Sequence, residues 1–267
     1  MVTKSARVLA VRARQRDPLN ASSDAFSLAG ALVDRGWTIY NGATIATQDV
    51  TGGEVHLEST TGGSAGAWWY SQPSGPALRE NGALVYKLVT GNFDARGRFR
   101  VRNAAGTGSP TTAALEWRFA GIQAQDPAGL VSGFFNYVHI ALGSDPNGTN
   151  RAEWKVTDDN GAASFRSTFA SDPISAPLDY DLRMVRSGQT FRLYYRAHGL
   201  PLLSDAGWSE VSVGPIVKDQ NTPARTGGAT PVAFPDTLAV GIMPPYAGPQ
   251  VTLDLRAWCE GIVFASG

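Results

Sequence analysis

The chain has 267 residues, in which 23 lysines and arginines balance 23 aspartates and glutamates. This neutral balance argues against nucleic acid as a partner, and a hydrophobic content of 43% argues against disorder and provides for a sizeable core. No apolar run reaches the length of a membrane-spanning helix, and the N-terminal apolar stretch is too short for a signal peptide. We therefore expect a protein that is made in the cytoplasm, does not enter a membrane, and is carried on a particle or virion if it is displayed.

Residues 1–20 are predicted to form a basic arm that precedes a single domain at 21–267. One reading of the arm is an edge strand or frayed tail with solvated charges. The other is an arm that docks onto the acidic surface of a partner subunit. The basic residues of the arm are Lys4, Arg7, Arg12, Arg14 and Arg16.

Strand-like segments dominate the rest of the chain. From Ala83 to Tyr195, apolar and polar residues alternate with a period of two, which places one face of each strand in a core. The segments follow one another at intervals of about ten residues, as in sandwiches and barrels. Asn160-Gly161 and Ser187-Gly188-Gln189 predict tight hairpins. A short helix is predicted at 22–34, and the fold is otherwise predicted to be all-β.

A proline- and glycine-rich stretch occupies residues 214–236. It is too long to be a simple connection between two strands, so it is predicted to be functional or to contact other subunits.

Several short motifs follow one another in a fixed order. The step Gly91-Asn92-Phe93-Asp94 enters a strand, FAGIQAQD precedes NYVHIALG, and the Leu182–Gly188 hairpin leads to Trp208. This order resembles the concanavalin A-like lectin/glucanase family, and in particular the small domains of unknown function related to glycosidase accessory modules. Asn92 stands where that family more often has aspartate. The resemblance covers about residues 32–264.

The resemblance implies a two-sheet antiparallel jelly-roll sandwich, often with a concave face that meets carbohydrate. It does not by itself imply an enzyme. Retaining glucanases of this fold carry a Glu-x-Asp-x-Glu triplet, whose alternate carboxylates lie about 5 Å apart in one cleft. The sequence has no such triplet. The G-x-S-x-G match at 62–66 lacks the helix that a nucleophile elbow needs. The chain is therefore predicted not to be an enzyme.

Aromatic residues are the best candidates for sugar contact, because sugars present apolar faces to flat rings. Tyr137 and His139 alternate with Val138 and Ile140, which predicts that they face away from the core. They belong either to a plain solvent-exposed surface or to the concave, sugar-binding face. Arg118 flanks a tryptophan and is predicted to point outward, whereas Tyr246 is predicted to lie in a loop. The complete set of predicted ligand contacts is Trp68, Trp69, Tyr137, His139, Arg118 and Tyr246.

An oxygen-rich segment contains Asp145 and Asn147. It offers the carboxylate and carbonyl ligands that calcium prefers, but a plain turn is the favoured interpretation. No cofactor is predicted.

These observations predict a non-catalytic carbohydrate-recognition or adhesion module, displayed on a surface and bound to a glycan or cell-surface polysaccharide. The alternative is a structural or decoration subunit of a phage or virus-like particle, which would contact other subunits through the arm and the 214–236 loop. A glycoside hydrolase or lyase with an atypical site is a third alternative.

Overall fold

The computed structural model describes residues 23–26, 30–42, 45–51, 53–59, 83–103, 105–110, 117–132, 136–159, 165–224, 226–227, 230–248 and 255–266. In these segments the chain is almost entirely extended, apart from a 3-10 turn (Val33–Arg35) and the short helix α1 (Pro127–Ser132). The strands are β1 (Gly30–Ala31), β2 (Thr38–Tyr40), β3 (Ile45–Thr51), β4 (Glu54–Ser59), β5 (Leu84–Thr90), β6 (Phe93–Arg102), β7 (Trp117–Gln125), β8 (Tyr137–Ser144), β9 (Asn150–Asp159), β10 (Phe165–Pro173), β11 (Asp179–Ser187), β12 (Thr190–Ala197), β13 (Ser209–Glu210), β14 (Ile216–Val217), β15 (Thr226–Gly227), β16 (Thr237–Gly248) and β17 (Arg256–Ala265).

Two antiparallel sheets contain all the described strands. The nine-stranded sheet has the order β1-β3-β4-β17-β6-β11-β12-β13, with β14 also paired to β12. The eight-stranded sheet has the order β15-β10-β9-β8-β7-β16-β5-β2. The chain crosses from one sheet to the other at several points, for example between β5 and β6 and between β10 and β11, whereas β7 to β10 follow one another within the eight-stranded sheet. The predicted all-β, two-sheet jelly-roll sandwich is therefore confirmed.

The core lies between the two sheets and follows from the period-two alternation. In β8, Val138, Ile140 and Leu142 join the main hydrophobic cluster, together with Leu182 and Met184 of β11 in the opposite sheet. All five side chains are fully buried. Burying each side chain of this kind stabilises the fold by about 1.5–3 kcal/mol, which makes this shared layer the main source of stability.

The strand pairing confirms the tight hairpin at Ser187-Gly188-Gln189. Ser187 lies opposite Thr190, so Gly188 and Gln189 form a two-residue turn, in which Gly188 has the positive φ of 59° that favours glycine. Strands β9 and β10 also pair as a hairpin, from Asp159 and Phe165, but five residues separate these two and Asn160-Gly161 lies outside the described residues.

The predicted helix at 22–34 is wrong. Its described residues form a β-bridge from Asp24 to Ile262, strand β1 and the 3-10 turn. The Asp24 carboxylate accepts hydrogen bonds from the backbone N–H of Phe26 (2.8 Å), from Trp37 Nε1 (3.1 Å) and from Arg35. These tertiary partners outweigh the local helical pattern.

Charged side chains cover the outer face of the nine-stranded sheet and are paired there. Asp181 is fully buried and accepts hydrogen bonds from Arg98 Nε (2.8 Å) and Arg196 Nε (3.0 Å). Asp94 is bound in the same way by Arg96 Nη2 (2.6 Å) and Arg183 Nη2 (2.7 Å). Arginine and aspartate alternate across neighbouring strands, so each buried charge has an opposite charge beside it.

Arg186 lies near the end of the Leu182–Gly188 hairpin and binds several backbone carbonyls. Its side chain is buried, and its guanidinium donates hydrogen bonds to the carbonyls of Gly188 (2.9 Å), Asp236 (2.7 Å), Pro235 (2.7 Å) and Gly91 (3.4 Å). The planar guanidinium thereby holds together three separate connections at one end of the sandwich, those at Gly91, at Gly188 and at 235–236.

We expect Arg186→Ala to lower the free energy of unfolding by about 3 kcal/mol, because several buried carbonyls lose a charged donor together. Arg192→Ala is the matched control, since Arg192 is an exposed arginine that pairs with Glu210 and should cost less than about 1 kcal/mol. Urea unfolding measures both values. Equal losses in the two variants would contradict this role for Arg186.

A second prediction concerns acid stability. Burial alone would raise the pKa of Asp94, but the hydrogen bonds and charges of Arg96 and Arg183 outweigh it and lower that pKa. The resulting stabilisation is therefore complete above the ordinary carboxyl pKa of about 3.9 and is lost as the pH falls through the lower folded value. The gap in stability between the wild type and Asp94→Asn should shrink as the pH is lowered into that range. The exposed Asp34, changed to asparagine, is the control, and a gap for Asp94→Asn that stays constant with pH would contradict the prediction.

Candidate functional site

The outer face of the eight-stranded sheet carries a group of polar side chains at its centre. We call this group the outer-face cluster; its members are Gln123, Gln125, Tyr137, His139, Glu153 and Lys155. All six residues are buried, with at most 3% of each residue exposed. They lie on β7, β8 and β9, the three adjacent strands at the middle of the sheet.

Strand register brings these residues together. Gln123 lies opposite His139, which lies opposite Lys155, and Phe169 of β10 continues this row. In the neighbouring row on the same face of the sheet, Glu153 of β9 lies opposite Ala141 of β8. Because adjacent strands are about 4.8 Å apart, side chains that lie opposite one another in a row are within contact distance.

A histidine–carboxylate pair forms the chemical centre of the cluster. His139 Nε2 lies 3.1 Å from Glu153 Oε1, and the two side chains are 0% and 4% exposed. Burial lowers the pKa of His139 and outweighs the opposing effect of Glu153. The imidazole is therefore neutral at physiological pH. When Nε2–H donates to the carboxylate, the lone pair of the ring is on Nδ1. A carboxylate that orients a neutral imidazole in this way is a suitable group for proton transfer.

Tyr137 and Lys155 frame this pair. The rings of Tyr137 and His139 are stacked, with centroids 5.7 Å apart and planes at 13°. Lys155 Nζ lies 5.4 Å from the centroid of the Tyr137 ring, where a cation interacts favourably with the aromatic face. The stack holds the imidazole in one plane, and Lys155 adds a positive charge beside Glu153.

The two glutamines leave polar atoms within the cluster. Gln123 Nε2 donates to Gln125 Oε1 at 2.7 Å. The remaining atoms, Gln123 Oε1 and Gln125 Nε2, are buried and have no hydrogen-bond partner among the residues that the structure describes. Leaving such a group unpaired is costly, so a buried acceptor and donor side by side are typical of a site that a polar ligand completes.

Apolar side chains line the neighbouring part of the same face. Leu84, Phe119, Ala239 and Met243 form a second hydrophobic cluster with Tyr137, separate from the core between the sheets. Ligand sites commonly combine an apolar wall with a few convergent polar groups. The outer face of this sheet has that composition.

The predicted site residues have different outcomes. Tyr137 and His139 face away from the core as predicted, but they are fully buried and not part of an exposed surface. Arg118, which was predicted to point outward, is also buried, with an exposure of 1%. Arg118 lies on the same side of β7 as the core residues Ala120 and Ile122, so its predicted outward orientation is wrong. For Tyr137 and His139 the alternation gives the correct face, but it does not reveal what covers that face. Contact of these residues with a sugar stays a prediction.

Tyr246 lies in strand β16, opposite Phe119, and the predicted loop is wrong. The strand accommodates its prolines through a register shift between Met243 and Tyr246, a bulge at which a missing N–H is tolerated. The Tyr246 side chain lies outside the described residues. So do Trp68, Trp69 and the arm residues Lys4, Arg7, Arg12, Arg14 and Arg16.

The oxygen-rich segment forms a turn, the interpretation favoured over a calcium site. Asp145 accepts hydrogen bonds from the backbone N–H groups of Asn147 and Thr149, both at 2.9 Å, and from Arg151 Nε at 2.9 Å. Both carboxylate oxygens of Asp145 therefore accept hydrogen bonds from residues of the same turn, none more than six positions away. Among the described residues, no group of three or more histidine, cysteine, aspartate or glutamate side chains is placed to hold a metal ion.

The described parts of the 214–236 loop pack against their own domain. Strand β14 pairs with β12, and the fully buried Lys218 donates to Asp158 Oδ1 (2.6 Å) and to the carbonyl of Thr157 (2.8 Å). Lys218 Nζ also lies 4.6 Å from the ring centroid of Phe234. The loop thereby braces the end of β9, the strand that carries Glu153 and ends at this point. Contact with other subunits through this loop stays a prediction.

We expect Lys218→Met to lower the free energy of unfolding by about 3–5 kcal/mol, because Asp158 is left charged and buried. Replacing both partners, as Lys218→Met with Asp158→Leu, should recover most of this loss, since no unpaired charge then remains. Asp219→Asn, an exposed change in the same loop, is the control. If the double variant is as unstable as the single one, the stabilisation does not come from the pairing of these charges.

Comparison with known proteins gives the fold type. No protein-family model and no curated protein sequence matches the chain. A GH43 protein from Bacillus licheniformis is similar over 92% of this chain, with 12% identity and a TM-score of 0.52, and the chain spans 39% of that protein. A pseudo β-1,3-glucanase and immunostimulatory antigen of Mycobacterium tuberculosis is similar over 92% of this chain and 98% of its own, with 11% identity and a TM-score of 0.50. A functionally unknown protein from Saccharomyces cerevisiae is similar over 89% and 99%, with 14% identity and a TM-score of 0.50.

The fold is a concanavalin A-like β-sandwich. Within the described residues, no helix has both the length and the hydropathy needed to cross a bilayer.

These neighbours correct the expected function. The chain was expected to be a non-catalytic adhesion module or, as an alternative, a phage or particle decoration subunit. The named neighbours include a GH43 protein and a glycoside hydrolase family protein from Mycobacterium thermorestibile, and none of those named is a particle subunit.

Proposed function

We propose that the protein is glycosidase-like and acts on a polysaccharide, and that the outer-face cluster is its active site. The observation that carries the proposal is the buried pair of His139 and Glu153 on the outer face of a sheet, where the imidazole stacks on the ring of Tyr137. The resemblance of the sequence motifs to domains related to glycosidase accessory modules supports the same substrate class.

Hydrolysis of a glycosidic bond requires one proton on the leaving oxygen and one hydroxyl group, from water, on the anomeric carbon. In this proposal Glu153 and His139 act as one proton-transfer unit. His139 and Glu153 are closed to solvent in this structure, so the proposal requires that substrate binding opens the cluster. The neutral imidazole then takes the proton of the attacking water at Nδ1, and the Glu153 carboxylate stabilises the imidazolium that results. The imidazolium then returns the proton to the leaving oxygen, so that the site ends in its starting state.

This chemistry differs from that of the retaining glucanases. In the three rows that contain the cluster, the described residues supply a single carboxylate, Glu153. A double displacement by two carboxylates is therefore not part of the proposal. Lys155 and the amides of Gln123 and Gln125 supply the polar contacts that orient a sugar and its hydroxyl groups.

The proposal is tested by incubating the purified chain with a set of polysaccharides that includes β-1,3-glucan and xylan, and by measuring newly formed reducing ends. Glu153→Gln should lower kcat by about 100-fold or more, since general acid–base groups contribute at least that much. His139→Asn should have a similar effect, because it removes the imidazole that carries the proton.

Glu210→Gln is the control, since it alters a carboxylate on the nine-stranded sheet and should retain full activity. Thermal unfolding of each variant separates loss of chemistry from loss of fold. The proposal is wrong if the wild-type chain releases no reducing ends, or if Glu153→Gln retains the wild-type rate.

A further inference from the structure

A groove lies on the outer face of the nine-stranded sheet, whereas the outer-face cluster belongs to the other sheet. Its volume is about 320 Å³, at the lower end of the range for ligand sites. The lining combines apolar residues of β17, of the 201–203 loop and of the N-terminal segment with two charged side chains, Arg98 of β6 and Glu260 of β17. The apolar residues include Ala25, Leu202, Leu203 and Val263.

The groove is open to water. Ala25 and Leu203 are exposed, Leu203 to 49% of its surface. The side chains of Arg98 and Glu260 are 25% and 38% exposed. A small ligand can therefore reach the apolar wall and both charged groups without any change in the fold, and it would remove apolar surface from water on binding.

The Arg98 end of the groove carries an excess positive charge. Asp181 binds both Arg98 Nε (2.8 Å) and Arg196 Nη2 (2.9 Å), so one carboxylate faces two guanidinium groups. His198 Nε2, 3.6 Å from Asp181, adds no negative charge. Arg98 Nη2 donates to the carbonyl of Leu200 at 2.6 Å, whereas Nη1 donates to no residue that the structure describes. Nη1 therefore offers its N–H groups to an anion in the groove.

The Glu260 end carries an excess negative charge. Arg100 pairs with Glu54 and also lies near Glu260, so one guanidinium faces two carboxylates. Arg100 Nε is 3.4 Å from Glu260 Oε1, a contact that is an ion pair and not a hydrogen bond. The Glu260 carboxylate is therefore available to a cationic donor. The pKa of Arg98 is raised mainly by its hydrogen bond to Asp181, and the charge of Glu260 contributes to this increase.

We propose that this groove binds a small zwitterion with an apolar body, of the class of apolar amino acids and short apolar peptides. The carboxylate of the ligand accepts hydrogen bonds from Arg98 Nη1, and its ammonium group donates to Glu260. Its apolar side chain packs against Leu203 and Val263. A ligand with a single charge would leave one of the two charged groups of the groove unmatched. The site is separate from the outer-face cluster and does not depend on glycosidase-like chemistry.

Gly261 keeps the groove open, because a side chain at this position would enter it. Gly261 lies opposite Arg98 in the pairing of β17 with β6, so the two residues share the outer face. A Cβ atom at Gly261 would lie 3.4 Å from the carbonyl oxygen of Asp24 and 3.5 Å from Cα of Ala25, which are ordinary contacts. A larger residue at this position therefore fits the backbone and fills the groove.

The test titrates the full chain with L-leucine and with leucyl-leucine, and measures Kd by isothermal titration calorimetry. Both probes should bind saturably to the wild type. Glu260→Gln should raise Kd about tenfold, since it removes the charge that the ammonium group meets. Gly261→Leu should raise Kd by about tenfold or more, because it occupies the groove. Glu210→Gln is the matched control, as it changes a carboxylate elsewhere on the same sheet and should leave Kd unchanged.

Analogues of leucine test the two charged contacts separately. N-acetyl-leucine has no ammonium group and leucinamide has no carboxylate, so each should bind about tenfold more weakly than leucine. Diglycine keeps both charges without the apolar side chains and should also bind more weakly than leucyl-leucine. Tighter binding of leucine than of leucyl-leucine would identify a free amino acid as the ligand, and the reverse order would identify a peptide.

The site assignment is overturned if neither leucine nor leucyl-leucine binds the wild type saturably, or if Glu260→Gln keeps the wild-type Kd. Equal affinity for leucine and N-acetyl-leucine would overturn it as well. Thermal unfolding checks that each variant is folded, and if Gly261→Leu is not, Glu260→Gln and the analogues still decide the question. No measurement in this set uses cleavage of a polysaccharide, so its failure is distinguishable from failure of the proposed function.

Discussion

The structure depends on the pairing of charges that its two sheets bury. A β-sandwich normally buries one face of each sheet, and here polar residues on both outer faces are buried as well. Asp181 is fully buried and Arg196 nearly so, and each would be strongly destabilising alone. Their mutual hydrogen bonds, together with those of Asp94 and its two arginines, make the outer face of the nine-stranded sheet compatible with folding.

On both outer faces, buried polar groups need hydrogen-bond partners, and the two faces provide these partners in different ways. On the nine-stranded sheet, Asp94 and Asp181 are paired with arginines that also bind loop carbonyls, whereas Arg100 Nε is buried without a hydrogen-bond partner among the described residues. On the eight-stranded sheet, His139 and Glu153 pair with each other, but Gln123 and Gln125 keep polar atoms without a partner among the described residues. A fold tolerates such a deficit where a ligand supplies the missing hydrogen bonds.

The sequence alone predicts the architecture well, because alternation, turn residues and strand spacing are local signals. It places Tyr137 and His139 on the correct face for the same reason. It does not reveal Glu153, Lys155 and Gln123 as members of one cluster, since only the register of three strands brings them together. It also predicts a helix at 22–34, where the hydrogen bonds of Asp24 favour a β-bridge. It predicts that Arg118 points to solvent, whereas the structure buries this residue. These errors share one cause, which is that tertiary contacts decide burial and local patterns do not.

Similarity of fold leaves the chemistry open, because a pseudo-glucanase and a GH43 protein share this architecture with the chain. The proposed function therefore rests on side chains. A single carboxylate held against a neutral histidine supports proton transfer but not a two-carboxylate displacement. This pair follows from the register of β8 and β9, so a one-residue shift of β9 would move Glu153 and Lys155 to the core face and separate Glu153 from His139. The strong pairing of Lys218 with Asp158 at the end of β9 helps to hold that register.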